Sequence, residues 1–100
     1  MTIETYQNAA WKSYMGRELP LKEQLINHAL GLVGESGEVA DQVKKEHYIG
    51  KHISREETVE EIGDVLWHLC CFAAAKGVTM QEVMSYNLEK LKRRYPNAEW

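Results

Sequence analysis

Apolar residues recur along this chain at intervals of three and four, and no stretch alternates with the period of two that a half-buried strand requires. Four helical segments follow from that pattern. The first runs from about Ile3 to Met15, with Thr2 placed to cap it and Ile3, Tyr6, Ala10 and Tyr14 on one face beside Trp11. Gly16 to Pro20 is a turn. The second, about Leu21 to Tyr48, carries Ile26, Ala29, Leu30, Val33, Gly37 and Ala40 as an apolar face, widened by Leu25, Leu32, Val39 and Val43. His28, Gly31, Glu35, Glu38, Gln42 and Lys45 lie on its other side. The third, about Arg55 to Lys76, opens on a capping box of Ser54 and Glu57 and stops at Gly77. The fourth opens on Thr79 and Glu82, a second capping box, and is closed by Pro96. With short connections between them, the expected architecture is an all-α, four-helix bundle-like single domain spanning residues 1–100.

The third segment is the unusual one. Ile62, Leu66, Leu69 and Ala73 form one stripe; Glu57, Glu61, Asp64 and His68 form another. Trp67, Cys71 and Ala75 lie beyond the polar stripe, so the second half of the helix is apolar almost all round. That implies burial on most sides, and more apolar surface than three partner helices in one small chain readily cover, which points to dimerisation. In the second segment, Gly31, Gly34 and Gly37 recur every three residues. Each costs a helix about 1 kcal/mol relative to Ala, so a close approach by another helix or a ligand is the expected compensation, with a kink as the alternative.

Composition narrows the function. One hundred residues make a single domain with a modest core, of a size often completed by oligomerisation. A net charge of −3 argues against a broad grip on a nucleic-acid polymer. No apolar run approaches the ~20 residues of a membrane span. The opening M-T-I-E-T-Y has no signal-peptide pattern. Cys70 and Cys71, adjacent on a helix, read as buried thiols of a reducing compartment, with the cytoplasm as the expected location.

Carboxylates on a mostly buried helix are costly unless paired or bound to a cation. Glu61 and Asp64, three residues apart, can aim at one point, and Glu35 and Glu38 repeat that spacing on the preceding helix. Two such helices side by side bring four oxygen donors together, which suits a hard cation, Mg²⁺ or Mn²⁺. A di-iron bundle would need Glu-x-x-His on two helices, zinc would need cysteine or histidine, and no P-loop is present. Carboxylate-bound Mg²⁺ commonly neutralises substrate phosphates, so the reaction class is phosphoryl or nucleotidyl transfer to water. Two other residues are candidates for substrate contact. His68 lies one turn past Asp64, and Trp11, with Asn8 beside it, offers a stacking surface; core packing is the competing account of each. Lys44, Lys45, His47, Lys51 and His52 form a cationic cluster, read first as a helix end whose charges suit the dipole and second as a phosphate contact.

The two-part acidic pattern, with E-E-I-G-D-V-L-W in its second half and N-L-E-K-L-K-R-R-Y-P near the end, resembles the MazG-type nucleoside triphosphate pyrophosphohydrolases over roughly Leu25 to Pro96. The resemblance implies a compact all-α enzyme, a homodimer or dimer of dimers, that hydrolyses (deoxy)nucleoside triphosphates to the monophosphate and pyrophosphate with Mg²⁺. It implies Glu35, Glu38, Glu61 and Asp64 as metal ligands. Glu35 or Glu38 would take the proton of the attacking water. Asn87, Lys90 and Arg94 would hold phosphate or sugar. The rival expectation is a non-catalytic helical adaptor. Its acidic pairs would hold a structural cation or form inter-subunit salt bridges to Lys44, Lys45, Lys90 and Arg94.

Overall fold

The computed structural model describes residues 1–100. It contains α1 (Ile3–Ser13), α2 (Leu21–Lys44), a π-helical turn (Lys45–Ile49), α3 (Arg55–Ala75) and α4 (Met80–Arg94), and no strand. The helix ends follow the capping chemistry of the sequence. The Thr2 hydroxyl accepts from the Thr5 N–H, and both capping boxes are complete, Ser54 with Glu57 and Thr79 with Glu82. Gly77 (φ 73°) closes α3: its N–H donates to the Ala74 carbonyl and the Val78 N–H to the Ala73 carbonyl at 2.8 Å. The second segment differs from expectation at its end, where the helix widens into the π-turn and Gly50 (φ 77°) terminates it. No helix is long and apolar enough to cross a membrane.

α2 and α3 pack antiparallel. The Gln42 amide donates to the Glu57 carbonyl at one end of the pair (3.0 Å), and the His28 and His68 rings meet at the other. α1 packs across the second half of α3, and α4 packs chiefly against α1. The interior lies where these meet: Ala10 and Tyr14 from α1, Cys70, Cys71 and Ala73 from α3, and Met80 from α4. Gln7 fastens the junction. Its amide nitrogen donates to the Cys70 and Val78 carbonyls (3.2 and 3.0 Å), and its carbonyl accepts from the Met80 N–H (2.9 Å).

The apolar face of α2 is not turned toward α3. Leu30 and Val33 are 68% and 71% exposed, and Ile26 is exposed with them. The side that packs inward carries Gln24, His28, Gly31 and Glu35 instead. On α3 the expected stripe is split: Leu66 and Ala73 face the interior, while Ile62 and Leu69 are exposed. The reason is visible in the dimensions. The radius of gyration is 16.1 Å, against about 13 Å for a compact domain of this length. The accessible surface is 7590 Å², against roughly 5,800 Å² for a compact monomer. Four helices spread this far cannot cover their own apolar faces.

Candidate active site

The antiparallel pairing of α2 and α3 sets the i, i+3 carboxylate couples level with one another. Glu35, Glu61 and Asp64 each present a carboxylate oxygen within 4.8 Å of the other two. Oε2 of Glu61 is buried and has no hydrogen-bond partner. Burial pushes the Glu61 carboxyl above its usual range, and the neighbouring charges of Glu35, Asp64 and Glu38 push in the same direction. Three hard oxygen donors at this spacing, one of them orphaned, suit a cation of the Mg²⁺ type, which would relieve the crowding. Glu38 stands outside the triangle. It is exposed and lines an adjoining cleft of ≈ 200 Å³ together with Glu61, Glu57, Glu60, Lys45 and Lys51. Lys45 is held there by Asp41 at 2.8 Å, and the π-turn delivers Lys51, whose N–H bonds the Lys45 carbonyl at 3.0 Å. Two members of the cationic cluster therefore border the carboxylates. Lys44, Lys90 and Arg94 form no ion pair within the chain, and Lys45 pairs with Asp41 alone among the carboxylates.

At the other end of the carboxylates the lining is aromatic. His68 lies against α2 at Gly31, the one member of the glycine series with a neighbour at close range. A Cβ there would lie 2.6 Å from His68 Nε2 and 2.8 Å from Nδ1, whereas one at Gly34 or Gly37 would meet nothing. His28, 1% exposed, sets its Nδ1 3.2 Å from His68 Nδ1. The Tyr14 ring packs 4.3 Å from His28, and Trp67 stands 4.9 Å from His68 while its indole N–H donates to Ser13 Oγ at 2.8 Å. Burial, and then repulsion by His68 whenever that ring is protonated, holds the His28 imidazole below its ordinary pKa. Gly31→Ala is expected to destabilise the fold by about 1–3 kcal/mol in chemical denaturation, because overpacking outweighs the helix-propensity gain of about 1 kcal/mol. Stability equal to or above the wild type would show that the His68 ring moves aside freely.

The remaining candidates lie elsewhere. Trp11 is half-buried against the interior and, with Asn8, lines a separate cleft between α1 and the α3–α4 connection that none of the four carboxylates borders. Core packing accounts for it within the chain. Asn87, Lys90 and Arg94 are exposed on α4, which leaves the α2–α3 pair, so the single chain does not bring them to the carboxylates. His28 is not among the candidates that the sequence pattern offers. Its only signal is register, one turn before Gly31 and two before Glu35 on the inward side of α2.

Residues 24–98 match the MazG nucleotide pyrophosphohydrolase domain. The chain belongs to the MazG family. It is 34% identical to the Gene 37 protein of Mycobacterium phage L5 over 101 residues, covering 94% of this chain and 89% of that protein. It is 35% identical to the uncharacterized protein YvdC of Bacillus subtilis over 77 residues, 67% of this chain and 72% of that one. No solved structure matches it. MazG membership makes a nucleotide the expected substrate and agrees with an all-α chain whose acidic residues gather on two helices.

Proposed function

We propose that this MazG-family chain hydrolyses (deoxy)nucleoside triphosphates between the α- and β-phosphates, releasing pyrophosphate, with Mg²⁺ or Mn²⁺ held by Glu35, Glu61 and Asp64. The observation that carries it is the convergence of those three carboxylates with an unpartnered oxygen among them. Once bound there, the cation supplies charge neutralisation for the phosphates and acidity to a water. Glu38, outside the triangle and facing the cleft, is the residue free to accept the water's proton. Lys45 and Lys51 meet the terminal phosphates. The exposed α2 face is covered by a second copy of the chain: the surface in excess of a compact monomer is roughly 1,800 Å², more than the ~800 Å² that each partner of a standard interface buries. Asn87, Lys90 and Arg94 then act across the subunit boundary.

The purified chain is expected to release pyrophosphate, and no orthophosphate, from at least one of the eight common triphosphates with Mg²⁺ and none with chelator. Asp64→Ala abolishes that turnover while helical circular dichroism is kept. Orthophosphate as first product, or undiminished turnover in Asp64→Ala, removes the reading.

A further inference from the structure

We infer that His28 is a positioning residue: it fixes His68 in one tautomer, so that His68 offers its Nε2–H as a hydrogen-bond donor to the base of the bound nucleotide. The identity of that ligand rests on the pyrophosphohydrolase reading; the pairing of the histidines does not.

The two Nδ1 atoms are 3.2 Å apart, a distance that takes one proton between them. Two arrangements satisfy it. If His68 donates, His28 carries its own proton on Nε2, which is buried with no partner. If His28 donates, its Nε2 buries only a bare lone pair. An orphaned buried N–H is the rarer and costlier defect, so the proton between the rings belongs to His28. His68 Nδ1 is then an acceptor, and the proton of the neutral His68 ring sits on Nε2. Charging both rings would set two N–H groups face to face, and burial already holds His28 toward its neutral form. His68 Nε2 makes no hydrogen bond within the protein and is not among the buried unpartnered atoms, and its ring is only partly buried. The ring cannot swing freely: Gly31 seats it on one side and Trp67 flanks it.

The site also has a direction. From Glu61 toward the start of α3 the cleft carries two lysines, Lys45 and Lys51, set among the carboxylates of Glu38, Asp41, Glu57 and Glu60. From Asp64 toward the end of α3 the seam between the helices becomes aromatic and uncharged, with His68, Trp67 and Tyr14 packed around His28. A triphosphate spanning the carboxylates lays its charged tail on the lysines, and its nucleoside falls on the His68 side. A neutral, fixed N–H donor there suits an uncharged acceptor, a carbonyl or ring nitrogen of the base.

The test begins with the nucleotide-free chain labelled with ¹⁵N. Long-range ¹H–¹⁵N spectra at neutral pH are expected to show His68 protonated on Nε2 and His28 on Nδ1. In His28→Phe, which keeps the ring volume and removes the donor, His68 becomes a tautomer mixture. In kinetics with the best triphosphate, His68→Phe is expected to raise KM about tenfold. His28→Phe raises KM by about twofold, because roughly half of the His68 rings still present the donor, with the larger part of its effect in KM, and the double variant is no worse than His68→Phe alone. A His68 protonated on Nδ1 in the wild type, or KM increases that multiply in the double variant, overturns the proposal. If His28→Phe does not fold, the wild-type spectrum still decides the pairing. A wild type that turns over no triphosphate overturns the reading of the site and the base contact with it, while the spectrum judges the histidines independently.

Discussion

Glu61→Gln is expected to raise the melting temperature of the metal-free protein and, in the same molecule, to abolish pyrophosphate release. The exchange keeps the shape of the side chain and removes a charge that burial and three neighbouring carboxylates oppose. Because the folded protein holds this carboxyl above its ordinary value of 4.5, ionising it costs stability once the pH exceeds that value, and the cost is complete above the folded pKa. The advantage of Glu61→Gln in chelator should therefore be present at neutral pH and vanish as the pH falls toward 4.5. Mg²⁺ reverses the order: it stabilises the wild type by mass action, about 2.7 kcal/mol at a hundred times Kd, and leaves the variant nearly unmoved. Turnover should fall by at least about a hundredfold. Melting curves with chelator and with Mg²⁺, beside a pyrophosphate assay, check every part. A variant matching the wild type in both melts would mean that Glu61 binds no cation.

The second large effect concerns the exposed face of α2. Leu30→Glu with Val33→Glu is expected to convert a dimer into monomers. Each of the four side chains removed, two per protomer, contributes about 1.5–3 kcal/mol when buried by a second copy, so association weakens by at least about four orders of magnitude before any charge is desolvated. Analytical ultracentrifugation at micromolar concentration reads the change. A wild type that sediments as a monomer, or a double variant that still dimerises, refutes the assignment of this face. The same face shows what the hydrophobic pattern of α2 leaves open. Apolar periodicity reports which side leaves water, and says nothing of whether the cover comes from the same chain.

Other features were legible because their causes are local. Ser54 with Glu57, Thr79 with Glu82, and Gly77 mark helix ends through hydrogen bonds that span only a few residues, and the ends fall within a residue or two of expectation. The carboxylate couples were legible because i, i+3 spacing alone puts two side chains at one level, and two adjacent helices supply the partner. Which three of the four converge was not, because that depends on how the helices are rotated against each other; Glu38 falls just outside the triangle on the same helix that brings in Glu35. The glycine series was partly legible. A close approach does compensate Gly31, and what meets it is a side chain, His68, from the facing helix. The divergence of α4 carries no local signature. Its capping box is faultless, and its path is set by contacts to α1, residues some seventy positions earlier in the chain.

That distant contact is the single amide of Gln7. Both of its functional atoms are committed, the nitrogen to two carbonyls and the oxygen to one backbone N–H. Glutamate could accept but not donate, methionine could do neither, and asparagine falls a methylene short. No other natural side chain of that length closes the same three bonds, so Gln7, beside the packing of Met80 with Ala10 and Tyr14, ties the departure of the last helix to the beginning of the chain.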